Sequence, residues 1–224
     1  MIEQTITHHI QKHIIGVLMN QESARFRDMR PPKCDTNLYS YHLKLLTKRD
    51  FVEKADDGYR LGKKGMVYVD RLSLASLNFR TQPKIITMLV VQNSNGDVLL
   101  FRRKRHPFLG KWTLPMGKVH IDDSSVVEAV QREASEKLGL KHQVLEHVGD
   151  CYIRIHDKGA VIMSTLVHVC KFNSDAIAET DTLKWARPHK LANYDLAPAV
   201  EQIITRTFFG DEFFFEEYAT KLVE

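Results

Sequence analysis

Apolar residues recur at helical spacing along residues 4–19, where Ile6, Ile10, Ile14, Val17 and Leu18 share one face and predict an amphipathic helix with a buried stripe. A second helix is expected near Ser23, in the stretch SARFRDMRPP. Pro31 and Pro32 stop it, because a prolyl ring removes a donor and disfavours helix in the residue before it. A third helix, capped by Asp35 or Thr36, is expected to turn Leu38, Tyr41, Leu45 and Leu46 inward and to end near Arg49. Two short extended pieces follow, with apolar Phe51, Val52, Tyr59 and Leu61 and a turn through Asp57 and Gly58. A last helix carries Met66, Val69 and Leu72, after which periodicity fades into NFRTQPK. The linker is therefore placed near Pro83, which gives a first domain at 1–80 and a second at 84–224.

Beyond Lys84 the pattern becomes that of strands. ITMLVV and VLLF flank NSNGD, in which Asn95 and Gly96 carry the turn. Val126, Val130, Ala134 and Leu138, spaced by four, predict a helix that Gly139 ends. Further strands are read at Tyr152–Ile155, Val161–Cys170 and Leu183–Ala186, and a helix through Val200, Ile203, Ile204 and Phe208. The tail DEFFFEEY sets aromatics between acids and reads as docking onto the domain or onto a second copy of the chain. This second domain mixes helix and sheet.

With 224 residues, 43% of them apolar, the chain is long enough for two cores. No stretch approaches the roughly 20 apolar residues that cross a bilayer. Three distant cysteines without CxxC spacing read as reduced thiols, so a cytoplasmic protein with no membrane partner is expected. Charge is unevenly placed. Residues 1–80 hold 14 Lys and Arg against 9 Asp and Glu, a net +5, whereas the remainder holds 18 against 19. An anionic partner is thus expected at the first domain.

The order of three helices, a hairpin and a further helix, with NLYSYHLKLL at the third, resembles the winged-helix class of helix-turn-helix proteins. The resemblance implies that the third helix enters the major groove of double-stranded DNA and the wing meets its backbone. Asn37, Tyr39, Ser40, His42 and Lys44 would then face DNA, and Lys48, Arg49, Lys54 and Arg60 would meet phosphates. A homodimer would suit paired half-sites. A module used only for dimerisation or protein contact is the competing reading.

The segment GKVHIDDSSVVEAVQREASEKLGL, residues 117–140, resembles the Nudix box, Gx5Ex7REUxEExGU. The preceding LLFRRK and KWTLP and the later Trp185 agree with it. The resemblance implies an N-terminal winged-helix domain followed by a Nudix α/β/α sandwich with a mixed sheet, α+β overall. It also implies hydrolysis of a nucleoside diphosphate linked to another group, with Mg²⁺ or Mn²⁺ offsetting the phosphate charge. Glu133 and Glu136, three apart on one helix face, would ligate metal together with the Met116 carbonyl, and Arg132 would complete the catalytic group. Arg103, Lys118, Lys137 and Glu179 are the substrate-binding candidates in a site for a phosphorylated nucleotide-type molecule.

Three departures stand out. Residue 137 is Lys where the motif has Glu, the loop from Gly117 to Arg132 carries one extra residue, with Asp123 at the first acidic position, and Met116 replaces a common glycine. An ammonium has no acceptor and repels a metal ion. Hydrolysis is accordingly expected to be weak. Two readings compete with it: Glu133 and Glu136 as a solvated helix face, and a DNA-binding regulator whose Nudix domain senses a phosphorylated nucleotide or sugar metabolite.

Overall fold

The computed structural model describes residues 6–72, 81–210 and 212–222. The chain divides into two compact units, Met1–Thr81 and Gln82–Glu224. The linker expected around Pro83 lies partly outside the described residues.

In the first unit α1 (His9–Leu18) buries Ile10, Ile14 and Leu18 as its spacing predicts, together with Ile15, while Val17 is half-buried and Ile6, also buried, precedes the helix. No helix forms at Ser23. Ala24 instead bridges Tyr59, its N–H donating to the Tyr59 carbonyl and the Tyr59 N–H to its own, both at 2.9 Å, so this backbone is held as an extended strand fragment. The next helix, α2 (Thr36–Lys48), is capped as expected: an Asp35 carboxylate oxygen accepts the N–H groups of Asn37 and Leu38 at 2.9 Å.

The inner face of α2 is rotated from the one expected. Tyr39, His42, Leu43 and Leu46 are buried, while Leu38 and Tyr41 are 45% and 60% exposed. β1 (Val52–Ala55) and β2 (Gly58–Leu61) pair antiparallel with Asp56 and Asp57 as the two loop residues, one place earlier than predicted. α3 (Lys63–Asp70) packs Tyr68 inward and leaves Met66 exposed. α1, the Ala24 strand fragment, α2, the hairpin and α3 surround one core, which is the order expected of this unit except that the second of its expected helices does not form.

The second unit is built on a mixed sheet between two helices. β3 (Lys84–Gln92) runs parallel to β8 (Ala160–Asn173), which is antiparallel to β7 (Glu146–Asp157). β4 (Val98–Arg102) meets β3 only at its end, Val98 opposite Gln92, and then turns to pair with β5 (Trp112–Thr113) and β9 (Leu183–Ala186). The edge of β3 vacated by this divergence is taken by β6 (Met116–Lys118), with Thr87 opposite Gly117. This places the Gly117 loop beside the centre of the sheet.

Side chains of a strand alternate between faces, so the sheet has two cores. Ile86, Met88, Val90, Val167 and Val169 pack toward α5 (Val200–Phe209). Leu89, Val91, Cys170 and Phe172 pack toward α4 (Val126–Leu138), which contributes Val126, Val130, Ala134 and Leu138. The acidic tail forms β10 (Phe214–Lys221), parallel to β7, with Phe214 buried in the α5-side core. The tail is thus an edge strand of its own domain. No helix among the described residues is long and apolar enough to span a membrane.

Candidate functional site

α4 is pinned at both ends. The Ser125 hydroxyl accepts the Glu128 N–H at 3.1 Å while the Glu128 carboxylate accepts the Ser124 N–H at 2.6 Å, and Gly139 ends the helix in the left-handed conformation at φ 70°. With its axis fixed, the helix directs Glu133 at the Gly117 loop. Glu133 is 5% exposed, and a Cβ on Gly117 would lie 1.6 Å from its carboxyl carbon. Only a glycine lets the loop lie so close to that acid.

A buried carboxylate needs compensation. One oxygen of Glu133 accepts from Arg132 Nη1 at 2.8 Å, and the other accepts from Lys137 Nζ, one turn along the helix. The same Lys137 ammonium donates to the Met116 carbonyl. Arg132 is itself anchored: Nε and Nη2 meet the two oxygens of Asp123 at 2.9 and 2.8 Å, and Nη2 also donates to the Lys118 carbonyl at 2.9 Å. Asp123 takes the His120 N–H as well, at 2.7 Å. These bonds, the Arg132 guanidinium foremost, hold the Asp123 carboxyl down at about 2, and Asp123 in turn raises the Arg132 guanidinium further above its already high value.

The site residues expected from sequence are therefore only partly assembled. Met116, Arg132, Glu133 and Lys137 converge, and Lys118 joins through its carbonyl while its side chain stays exposed. Arg103 borders the cluster, donating to the Pro107 carbonyl at 2.6 Å and reaching the Met116 sulfur at 3.8 Å. Glu136 does not converge with Glu133. Its side chain is 61% exposed, and its contact with the cluster is Arg132 Nη1 at 4.0 Å. Glu179 is also elsewhere, accepting the Trp185 N–H at 2.8 Å as a cap on β9.

A divalent ion between Met116 and Glu133 would need the oxygens that the Lys137 ammonium takes. The residues present do not fit such an ion at that position. A cleft of about 810 Å³ between Gly96, Arg187 and Phe208 shares no lining residue with this cluster and gathers a single carboxylate, Asp97. Chemistry rather than volume therefore selects the Glu133 region.

On the first unit, the outward face of α2 carries Asn37, Leu38, Tyr41, Lys44 and Lys48, all exposed, with Ser40 half-buried beside them. Tyr39 and His42 are corrections to the expected DNA-facing set. Tyr39 is fully buried with its hydroxyl donating to the Phe26 carbonyl at 2.8 Å, and burial pushes that hydroxyl up to about 12. His42 stacks on the His8 ring at 3.8 Å between centroids, and burial, with His8 and His9 nearby, lowers its pKa. Arg60 is exposed but bonded to Glu53 across the hairpin at 2.5 Å. Tyr41, expected on the inner face, is exposed, as the phase of the helix requires once Tyr39 points inward.

A family model described as NUDIX domain matches residues 82–207. Among solved structures, the MutT protein of Bacillus halodurans is similar at 20% identity, covering 61% of this chain and 89% of its own, with a TM-score of 0.51. The NUDIX domain of NrtR from Shewanella oneidensis, solved with ADP ribose, is 22% identical and covers 64% and 96%, with a TM-score of 0.48. The Ap4A hydrolase of C. elegans is 16% identical over 57% and 97%, with a TM-score of 0.44. No curated protein matches. On its fold, its loop-helix cluster and the extent of the match, the chain belongs to the NUDIX domain family.

Proposed function

We propose that this chain is a DNA-binding regulator whose Nudix domain binds a phosphorylated nucleotide-type ligand without efficient turnover. The observation that carries this reading is the Lys137 ammonium, seated on the Met116 carbonyl and the Glu133 carboxylate. A tethered ammonium supplies positive charge for a phosphate, as a metal ion does. It does not lower the pKa of a bound water, so it favours holding a diphosphate over cleaving it. Arg103 brings a second cation to Met116, at its sulfur. The net +5 of residues 1–80 and the polar, basic outer face of α2 supply the DNA-binding half. Ligand and DNA would then influence one another's affinity by equal factors.

Hydrolysis is the second reading, favoured by Glu136, which stays exposed and able to take a metal ion at the rim of the cluster. One experiment separates the two. ADP-ribose, nucleotide sugars, dinucleotides and nucleoside triphosphates are titrated calorimetrically in chelator and in Mg²⁺, and their turnover is followed for wild type, Glu133→Gln and Lys137→Glu. The regulator reading expects metal-independent binding, no turnover dependent on Glu133, and Mg²⁺ binding that appears only in Lys137→Glu. Metal-dependent turnover by wild type, lost in Glu133→Gln, would establish the hydrolase instead.

A further inference from the structure

His147, Asp150 and His168 form a cluster that the Nudix loop-helix does not use. Asp150 on β7 and His168 on β8 are direct cross-strand partners. His147 is three residues from Asp150, and in a regular strand the two would face opposite ways. A register shift between His147 and Gly149 removes that mismatch and turns His147 to the side of Asp150. His147 Nε2 and His168 Nδ1 then both lie 2.8 Å from the same oxygen, Asp150 Oδ1, and the three atoms are mutually within 4.8 Å.

We infer that His147, Asp150 and His168 are a binding site for a divalent transition-metal ion of the zinc type. Two imidazole nitrogens with one carboxylate oxygen are the donor set preferred by Zn²⁺ and its first-row neighbours, whereas Mg²⁺ and Ca²⁺ take oxygens alone. Tetrahedral bonds of 2.0–2.1 Å place donor atoms roughly 3.3 Å apart. The present spacing brackets that value, so small side-chain rotations suffice. Without an ion, both rings must turn a protonated nitrogen onto one carboxylate oxygen; an ion replaces both protons.

The surroundings agree. Side-chain exposures of 36%, 23% and 17% leave the group reachable yet largely enclosed. The Phe213 ring stands edge-on to His147 at 5.2 Å, and Phe215 on β10 is in register with Asp150. Three protein ligands leave a coordination position open, the arrangement of a site that accepts water or an oxyanion rather than a closed structural one. That position lies on the α4 face of the sheet. Register runs Asp150, His168, Thr87, Gly117 across β7, β8, β3 and β6, with strands about 4.8 Å apart. The site is therefore separate from the Lys137 cluster but shares its sheet face, and between them Thr87 is buried with its hydroxyl unpartnered among the described residues.

The full chain, stripped with chelator and dialysed, is titrated with Zn²⁺ and with Co²⁺, whose visible absorption reports its ligands. One ion per chain is expected, with affinity reduced at least tenfold in His168→Gln and in Asp150→Asn and retained in a His8→Gln, His9→Gln, His13→Gln triple variant. His147→Gln, at the more exposed position, gives the same loss should either core-side variant misfold by circular dichroism. No stoichiometric ion, affinity unchanged by His147→Gln, or loss confined to the amino-terminal triple variant would overturn the assignment.

Discussion

Gly117 lies directly against Glu133, so close that a single added methyl group would stand 1.6 Å from the carboxyl carbon. A Gly117→Ala variant must push the carboxylate away from Lys137 or the loop away from β3. Overpacking of this kind costs about 1–3 kcal/mol. Thermal denaturation should show a lowered Tm, and the deficit should largely vanish when Gly117→Ala is combined with Glu133→Ala, because the colliding group is then gone. An equal deficit in both backgrounds would mean that the contact is not the cause.

Asp123 is held at about 2 against an ordinary 3.8, chiefly by its paired bonds from Arg132 and then by the His120 N–H. A carboxyl with a depressed folded-state pKa stabilises the fold in full above its unfolded value and ceases to do so as pH falls through the folded one. Asp123→Asn should therefore be less stable than wild type at neutral pH. The two denaturation curves should converge between about pH 4 and pH 2. Parallel curves down to pH 2 would show that Arg132 does not depend on the Asp123 charge.

Much of this arrangement is legible in sequence where it is local. The four-residue spacing of Val126, Val130, Ala134 and Leu138 specifies α4 because that stripe packs against one sheet face, through Leu89, Val91, Leu99, Cys170 and Phe172. The tail beginning Asp211 is not legible as a strand, since its partner on β7, Gly149 opposite Phe214, is remote in the chain and parallel pairing leaves no local turn signal. The expected helix at Ser23 fails for a related reason: the Ala24 N–H and carbonyl are committed to Tyr59. On α2, Leu38 and Tyr41 compete with Tyr39, Leu43 and Leu46 for the inner face. The latter set packs into the core formed with α1 and the hairpin, where the Phe26 carbonyl receives the Tyr39 hydroxyl, partners remote from α2 in the chain. At the site, the sequence shows that residue 137 is a cation but not that it folds back onto Met116 and Glu133.

His42, buried with Nδ1 unpartnered among the described residues, has its pKa lowered from 6.5 by burial first and by His8 and His9 after it. The folded state favours its neutral form, while the unfolded chain takes a proton near 6.5. Its contribution is thus complete above that pH and declines as pH falls below it toward the lower folded-state value. Circular dichroism melts of wild type should lose Tm from pH 7.5 to 5. His42→Phe should flatten that decline, and an unchanged slope would assign the sensitivity to other groups.

The DNA-binding half of the proposed function rests on the outer face of α2, and its residues separate by role. Lys44, exposed and basic, would meet a phosphate, so Lys44→Gln should weaken duplex binding uniformly across sequences and reduce the salt slope of log K by about 0.9. Asn37 and Tyr41 share that face one turn apart, where side chains reach base edges. Asn37→Ala should cost about 1–3 kcal/mol on a preferred sequence and little on a random one. Tyr39→Phe serves as the internal control: it removes the bond to the Phe26 carbonyl, lowering stability by about 0.5–1.5 kcal/mol while leaving the salt slope unchanged. Fluorescence anisotropy with labelled duplexes from 50 to 200 mM salt, on the order of the range where counterion release dominates, reads all three. A salt-independent signal for wild type, or a slope altered by Tyr39→Phe as much as by Lys44→Gln, would leave this helix without a groove to enter.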